Sequence, residues 1–488
     1  MTAVAEIAAT TVTTTSPDSR RWAALYVLCT GMLMIVLDMT IVNVALPSIQ
    51  SDLGFSDSAL AWVVNGYLIS FGGLLLLSGR LGDLFGRCRV FLAGLALFTA
   101  ASLACGLAEG PAMLVAARFL QGVGGSMTSA VILGMIVTMF PEPGEQARAI
   151  GVYAFVASAG GAVGLLAGGV LTQSLNWHWI FFVNLPVGVA TAAVAARLLP
   201  ADRPATRRGG TDVMGAVTVT GALMLGVYTI VKPAAERGWT APQTLLLAAI
   251  TVALGVAFVV REHTAANPLM PMRIFRSRTV SGANLVQILS VAGMFGVFFL
   301  GALYLKRVLH YDALEIGLAF LPVAVIMGTL SMRFTEPLVT RVGACRVLIA
   351  GMVLMAVGLA WFAQAPVDGE YLTDVFPVMA LLGLGAGLAF PSLMTLAMTG
   401  ATPADAGLAS GLVNTTAQIG GAFGLAVLAT VSTGRTSDLL AGGQSADAAL
   451  VGGYHVAFWI AAALMLLAVV VAAATLRGTA RAQVSAEG

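Results

Sequence analysis

Charged side chains are scarce in this chain. Asp, Glu, Lys and Arg make up 10% of its 488 residues, whereas hydrophobic residues make up 58%. A soluble domain carries roughly 25% charged residues. The formal net charge is only +2, which excludes the strongly basic surface that nucleic-acid binding requires. The composition therefore predicts a polytopic membrane protein that lies in a lipid bilayer.

Histidine and cysteine are also scarce. The chain has four of each, with no Cys-x-x-Cys pair, so we expect no disulfide framework, no metal site and no catalytic cluster. A G-x-x-x-x-G-K-[ST] phosphate loop is missing because neither Lys232 nor Lys306 follows a glycine, which excludes an ATP-driven pump at the level of motifs. Residues 1–19 contain no apolar stretch, so we expect no cleavable signal peptide.

Long apolar runs fill most of the chain. A transmembrane helix needs about 20 such residues. The fourteen predicted spans are 22–46, 59–78, 90–108, 112–139, 148–172, 178–199, 213–231, 243–260, 280–305, 316–332, 346–365, 373–398, 405–432 and 455–476. Residues 433–454 would form a long outer loop. The sequence thus predicts an all-α fold with an even number of spans.

Arginine is distributed unevenly between the two sides of the predicted membrane. If the N-terminus is cytoplasmic, most arginines fall in cytoplasmic segments. The outer segments hold only Lys232, Arg237, Lys306, Arg307 and Arg435. Basic residues accumulate in cytoplasmic loops. This distribution predicts that both the N- and C-termini are cytoplasmic.

An internal repeat divides the chain. "GRLGDLFGRCRVFLAG" (79–94) aligns with "EPLVTRVGACRVLIAG" (336–351), and "GVYAFVASAGGAVGL" (151–165) aligns with "GLVNTTAQIGGAFGL" (411–425), at nearly the same offset. Such repeats are typical of transporters built from two parallel halves, although Gly/Ala-rich helices also resemble one another by chance. The predicted segments are a tail (1–21), an N-terminal six-helix half (22–199), a linker (200–212), two inserted helices (213–260), a second linker (261–279), a C-terminal six-helix half (280–476) and a tail (477–488).

A carboxylate lies inside the first apolar run, "IVLDMTIVNVALP" (35–47). Burying Asp38 in hydrocarbon costs about 2.5–3.5 kcal/mol on insertion scales. Arg118 lies inside the fourth run, and at 1.5 Å per residue both side chains sit roughly 10–13 Å below the predicted outer boundary. They can therefore meet. Asp38 is either a group that gains and loses a proton, or a structural partner held permanently by Arg118.

Four motifs carry a resemblance to a known family. They are "LDMTIVNVALP" (37–47), "GRLGDLFGRCR" (79–89), "RFLQGVGG" (118–125) and "GGAVGLLAGGVL" (160–171). With the repeat and the inserted pair, they resemble the fourteen-span drug:proton antiporter branch of the major facilitator superfamily. The resemblance implies the major-facilitator fold, Asp38 as the protonation site and Arg118 as the residue that tunes it.

The second and fourth motifs have implied roles and simpler alternatives. The resemblance implies that Asp83, Arg87 and Arg89 form a gate on the cytoplasmic side, although the arginines can also serve only as topology determinants. Gly160, Gly164 and Gly168 recur every four residues and form one smooth helix face for close packing. Leu165 stands where the family's antiporter motif has proline, so the kink of that motif is not expected from the sequence.

Polar and aromatic residues in the spans are candidates for the substrate path. They are Asn43, Trp62, Asn65, Tyr67, Gln121, Tyr153, Asn414 and Gln418. Each can instead be a packing residue, and Gln121 can form an interhelical hydrogen bond. Because Asp38 is almost the sole acid at mid-membrane depth, we expect hydrophobic, amphipathic or monocationic substrates.

The sequence predicts a secondary exporter of hydrophobic or amphipathic drugs or antibiotics. We expect transport by alternating access, driven by the proton gradient and without a cofactor. We also expect the protein to be a monomer in the bacterial inner membrane. Two alternatives remain open: a proton-coupled uptake or exchange transporter for a metabolite, and a membrane-embedded enzyme or scaffold. The last would need clustered His, Ser or Cys at membrane depth, which the sequence lacks.

Overall fold

The computed structural model describes residues 17–140, 142–199, 212–234, 237–265, 268–269, 272–399 and 406–476. The predicted tails up to residue 16 and from residue 477, and linker residues 200–211, lie outside the described residues. Within the described ranges every regular element is a helix. This agrees with the membrane prediction, because a helix satisfies its own backbone hydrogen bonds in lipid.

The described part of the N-terminal half contains seven helices. They are α1 (Pro17–Leu53), α2 (Asp57–Phe85), α3 (Arg87–Gly106), α4 (Pro111–Met139), α5 (Pro143–Ser174), the short α6 (Trp179–Phe182) and α7 (Asn184–Leu198). The inserted pair is α8 (Val213–Thr229), which continues as a π-helix over Ile230–Ala234, and α9 (Pro242–Thr264). A 3₁₀ turn, Met272–Arg276, leads into the next half.

Seven helices are also present in the C-terminal half, over its described residues 278–399 and 406–476. They are α10 (Arg278–Arg307), α11 (Ala313–Arg333), α12 (Thr335–Val342), α13 (Ala344–Phe362), α14 (Phe376–Thr399), α15 (Ala406–Ala441) and α16 (Ala446–Thr475). A π-helical turn, Tyr371–Val375, precedes α14.

Twelve helices in the described part of the chain are long and apolar enough to cross a membrane. They match all the predicted spans except the second and the fifth. In place of those two, shorter apolar stretches run over Ala59–Leu75 in α2 and Val163–Ser174 in α5. The chain is therefore a multi-pass membrane protein.

The predicted outer loop 433–454 is wrong for most of its length. Helix α15 continues to Ala441 and α16 begins at Ala446, so only a four-residue turn separates them. Gly443 makes the turn with a φ of 86°, and Ser445 caps α16 by accepting a hydrogen bond from the Ala448 amide. A Gly/Ser-rich composition suggested a loop, but only Gly442, Gly443 and Ser445 lie in the turn, and Gly453 is buried where α16 packs on α15.

The internal repeat is visible in the backbone. Gly86 separates α2 from α3 with a φ of 96°, and its repeat partner Gly343 separates α12 from α13 with a φ of 89°. Residues other than glycine rarely adopt a backbone conformation with such a positive φ. The same turn therefore follows the second span of each half.

The halves contact one another through equivalent helices. Helix α2 packs on α15, and α5 packs on α11. In each contact the second span of one half meets the fifth span of the other, as expected for a pseudo-twofold arrangement. Within the halves, α4 packs on α2 and α3, α1 packs on α5, and α10 packs on α15 and α16.

The inserted pair lies outside this bundle. Helix α8 packs on α9 and on α2, where Gly73 of α2 leaves room for Thr220 of α8. Asp212 caps α8 through the Gly215 amide at 2.9 Å and accepts from Arg261 Nε of α9 at 3.1 Å. Only 11% of the most apolar 18-residue stretch of α9 is buried inside the protein. This helix therefore mainly faces lipid.

Candidate functional site

Asp38 and Arg118 meet in the interior of the N-terminal half. Arg118 Nη1 donates to Asp38 Oδ2 at 2.5 Å, and the two side chains are 1% and 0% exposed respectively. The depth argument from the sequence thus predicted a real contact. A buried pair of this kind keeps its charges only because each neutralises the other, and removal of one partner leaves an uncompensated charge.

Two amide side chains hold the other oxygen of Asp38. Gln121 Nε2 donates to Oδ1 at 2.7 Å, and Asn184 Nδ2 donates to the same oxygen at 3.2 Å. The carboxylate therefore has three donors, from α4 and α7. Charge-assisted hydrogen bonds of this type are stronger than neutral ones, so the site is well suited to the charged form of Asp38.

Gln121 is fully engaged inside this network. Its Oε1 accepts from Arg118 Nη1 at 2.7 Å, and its Nε2 also donates to Ser102 Oγ of α3 at 2.8 Å. The side chain is 0% exposed. The structure thus supports the interhelical hydrogen bond rather than a place for Gln121 on an open substrate surface.

The remaining faces of Arg118 are covered by protein. Its Nε donates to the carbonyl of Val63 in α2 at 2.9 Å. The Tyr67 ring lies 4.5 Å from the guanidinium carbon and the Phe181 ring 5.8 Å from it, both within the range of a cation–π contact. Tyr67 thus belongs to the Asp38 site and closes it on the α2 side.

Glycines on α4 allow this close assembly. A side chain at Gly122 would clash with Ser70 Oγ and the Tyr67 carbonyl of α2. A Cβ at Gly124 would come within 2.8 Å of the Gly94 carbonyl of α3. Close backbone approach at small residues is how helices associate in lipid, and here it brings polar side chains from several helices onto one carboxylate.

The other predicted path residues lie elsewhere. Asn43 donates to the Met39 carbonyl of its own helix at 3.0 Å, and the Tyr153 hydroxyl contacts Met32 Sδ at 3.4 Å. Trp62 and Gln418 are half-buried and Asn414 is exposed. Asn65 is 0% exposed, and neither of its amide atoms has a hydrogen-bond partner.

The predicted gate is only partly described. Arg87 Nη1 donates to the Gly134 carbonyl of α4 at 2.8 Å, where glycine leaves room for the guanidinium. Arg89 is exposed on α3, and the side chain of Asp83 lies outside the described residues. Arg87 therefore ties α3 to α4, and the gating role of the three residues stays a prediction.

The three repeated glycines of α5 face α1. Gly160 lies against Leu33 and Val36, and Gly168 lies against the Ile41 carbonyl. Gly164 is placed against Thr40 in the same way. Helix α5 is continuous across Leu165. The face serves close packing, as one of the two interpretations of the sequence expected.

The two halves touch at the end of the bundle where α1 ends and α2 begins, which we call the Gln50 end. Arg307 Nη2 of α10 donates to Gln50 Oε1 of α1 at 2.6 Å. Beside this bond, Gly169 of α5 lies against Ala313 of α11, and Gly317 of α11 lies against the Leu165 carbonyl. We call the opposite end, where α2 ends and α3 begins, the Arg87 end.

Sequence reasoning missed the contribution of the sixth span. Phe181 and Asn184 lie in "WIFFVNLPVG" (179–188) and both reach the Asp38 site. The available signal was an uncharged amide in an apolar run, next to a proline. Among the described residues, no group of three or more His, Cys, Asp or Glu side chains could hold a metal ion.

Comparisons with known proteins agree with one another. The model of the Major Facilitator Superfamily matches residues 28–425. The puromycin resistance protein pur8 of Streptomyces alboniger is 40% identical over 93% of this chain and 91% of its own length. The cephamycin export protein CmcT of Amycolatopsis lactamdurans is 40% identical over 96% and 95%.

A solved structure shares the fold. A bacterial homologue of the human lysosomal transporter Spinster matches with a TM-score of 0.68 and 15% sequence identity, over 94% of this chain and 97% of that one. At this identity the similarity concerns the fold alone.

Proposed function

The chain belongs to the Major Facilitator Superfamily of membrane transporters and is not an enzyme, and we propose that it exports small hydrophobic or monocationic compounds, antibiotics among them, in exchange for protons. Support comes from relatives at 40% identity over almost their whole length that are named for antibiotic resistance or export. The single structural observation that carries the coupling is the buried pair of Asp38 and Arg118.

Asp38 is the proton carrier in this proposal. In its charged form it holds Arg118, Gln121 and Asn184, and so draws α1, α4 and α7 together. A proton on Asp38 removes the charge that these donors stabilise, which favours a different arrangement of the helices. Coupling requires that the proton and the substrate have different affinities for the two arrangements.

We assign the Gln50 end to the outside and the Arg87 end to the cytoplasm of a bacterial plasma membrane. The proposal includes fourteen spans, with both termini cytoplasmic, because the arginine-rich segments then follow the positive-inside rule. The two halves are in contact at the Gln50 end. In this proposal the structure therefore represents the arrangement that is closed to the outside.

The proposed substrates follow from the charge of the site. Arg118 neutralises Asp38, so this pair offers no spare negative charge to a dication. Among the described residues, three candidates for the substrate path have unpartnered polar atoms: both amide atoms of Asn65, the hydroxyl of Tyr67 and Oε1 of Gln418. Such atoms can bond to a ligand when the halves rearrange.

Dye efflux from pump-deficient cells tests the proposal, with ethidium and puromycin as probes. We compare the wild type with Asp38→Asn at equal expression, before and after the proton gradient is collapsed. Asp52→Asn is the matched control, because it removes a carboxylate from the exposed end of the same helix and keeps an acceptor for Trp177.

We expect gradient-dependent efflux from the wild type and Asp52→Asn, and none from Asp38→Asn. Equal efflux from Asp38→Asn would assign a structural role to the carboxylate. Gradient-driven accumulation of the probes inside the cells would instead favour the uptake or exchange transporter.

A further inference from the structure

One turn residue, Val183, interrupts the sixth span at the level of the Asp38 site, although its backbone stays in the helical region (φ −58°, ψ −27°). Helix α6 ends at Phe182 and α7 begins at Asn184. Pro186 explains the break: a proline has no N–H to donate to the carbonyl four residues earlier, and its ring clashes with that carbonyl. Asn184 is thereby the first residue of α7. It is 1% exposed, and its amide reaches Asp38.

Neighbouring residues hold the segment in place around the site. The ring of Phe182 occupies the space left by Gly106 of α3, and Gly188 of α7 lies against Thr99 of α3. Trp177 Nε1 donates to Asp52 Oδ2 of α1 at 2.8 Å. The segment is therefore anchored to α1 and α3 on both sides of Asn184, which holds the Asn184 amide at the carboxylate.

We propose that Asn184 is a positioning residue for Asp38: its amide stabilises the charged carboxylate and couples the sixth span to the presence or absence of the proton. The inference rests on the proposed function in that Asp38 carries the proton. An amide N–H can donate only to an oxygen that offers a lone pair. When Asp38 gains a proton, its oxygens keep lone pairs but lose the negative charge, so the hydrogen bond from Nδ2 weakens and α7 is held less strongly to α1.

Among the described residues, Oδ1 of Asp38 accepts from the amides of Gln121 and Asn184, neither of which is titratable. The polar groups that face Asp38 from the helices packed around it are Arg118 and Gln121 of α4, Tyr67 of α2, Ser102 and Cys105 of α3, and Asn184 of α7. Arg118 stays charged, whereas tyrosine and cysteine side chains are neutral near pH 7. The proton on Asp38 is thus opposed by one fixed charge and two amides.

The test is an infrared titration of purified protein in vesicles of Escherichia coli polar lipid. Asp38→Asn identifies the carboxyl band of Asp38, and the band is followed against pH without any transport. Asn184→Leu has the same number of side-chain heavy atoms and the same branching but no donor. Thr191→Val is the matched control: it is buried on the same helix, roughly 10 Å along the axis at 1.5 Å per residue.

We expect the midpoint of the Asp38 titration to move up by about one pH unit in Asn184→Leu, because the charged form has lost a charge-assisted hydrogen bond. Thr191→Val should keep the wild-type midpoint. An unchanged midpoint in Asn184→Leu overturns the inference.

A second variant covers the case in which Asn184→Leu does not fold. Asn184→Asp places a second carboxyl group beside Asp38, and two adjacent carboxylates resist simultaneous ionisation. A carboxyl band that persists to higher pH supports the inference, and a wild-type titration overturns it.

The titration is also independent of the efflux assay. Gradient-dependent efflux with no Asn184 effect removes only this inference, whereas an Asn184 effect without efflux removes only the proposed function.

Discussion

At the scale of single residues, some buried polar side chains have hydrogen-bond partners and others have none. Asp38, Arg118 and Gln121 have partners for their charges and amides, although all three are buried. Asn65, also 0% exposed, has none. A buried polar group without a partner costs about 1–3 kcal/mol. Asn65 therefore disfavours this closed arrangement, and movement of the halves can relieve that cost.

Replacement of Asn65 by leucine should stabilise the protein. Leucine has a similar shape and no polar atoms to bury, so we expect the free energy of unfolding to rise by about 1–3 kcal/mol. Thermal unfolding of the purified protein measures the change. Asn43→Leu is the control, because Asn43 donates to the Met39 carbonyl and its loss should give no gain. A lower melting temperature for Asn65→Leu would contradict the assignment of Asn65 as unsatisfied.

At the scale of helices, glycines decide how closely the two halves approach at the Gln50 end. Gly169 and Gly317 let α5 and α11 touch through their backbones, and the bond from Arg307 to Gln50 lies at the same end. The hydrogen bond from Arg307 to Gln50 can be replaced by hydrogen bonds to water when the halves separate. The backbone contact at Gly169 and Gly317 forms only where no side chain lies between the two helices. Closure of this end therefore depends on glycine more than on the polar bond.

We expect Gly317→Leu to hold the Gln50 end open. The added side chain would meet the Leu165 carbonyl, and a backbone atom cannot move aside cheaply. Spin labels at the exposed positions Ser51 and Lys306 report the separation of α1 and α10 at this end. The distance should lengthen in Gly317→Leu. The distance should not change in Gly328→Leu, where an added Cβ meets no atom within 4 Å. An equal distance in the wild type and both variants would contradict the prediction that a side chain at position 317 holds this end open.

At the scale of the whole molecule, a pseudo-twofold relation makes the contacts between the two halves equivalent. The α2–α15 and α5–α11 contacts are equivalent in the two halves. The chemistry is not equivalent, because Asp38 and Arg118 lie in the N-terminal half alone. The inserted pair packs through α8 on α2 and on α15, one helix from each half, and adds a lipid-facing helix, α9, on the outer side of α8. In the proposed mechanism, proton binding to Asp38 therefore acts on the other half through the helices in contact at the boundary, α2 with α15 and α5 with α11.

Reporter fusions test the proposed topology of the inserted pair. Alkaline phosphatase is active only outside the cytoplasm. We expect activity when it is fused after Thr240, between α8 and α9, and none when it is fused within the linker 200–212. The opposite pattern, or equal activity at both positions, would reverse the orientation or remove α8 as a span.

Much of the fold was predictable from the sequence because lipid imposes simple demands. A chain in a bilayer must bury its backbone hydrogen bonds in helices, so apolar runs located the helices even where their ends were misjudged, as at 433–454. The internal repeat aligned Gly86 with Gly343, and the structure showed that both are turns. Equal depth showed that Asp38 and Arg118 could meet, and the structure showed that they do.

What the sequence by itself determined, then, is the number and order of the apolar segments and the pair of opposite charges within them. Only the tertiary structure decided which neighbours complete the site: Asn184 and Phe181 from the sixth span, and Ser102 from the third. It also decided that the amide oxygen and nitrogen of Gln121 are both engaged in hydrogen bonds within the Asp38 site. The physical reason is that these contacts depend on the rotation and spacing of helices. In lipid, both are set by close packing at small residues rather than by hydropathy.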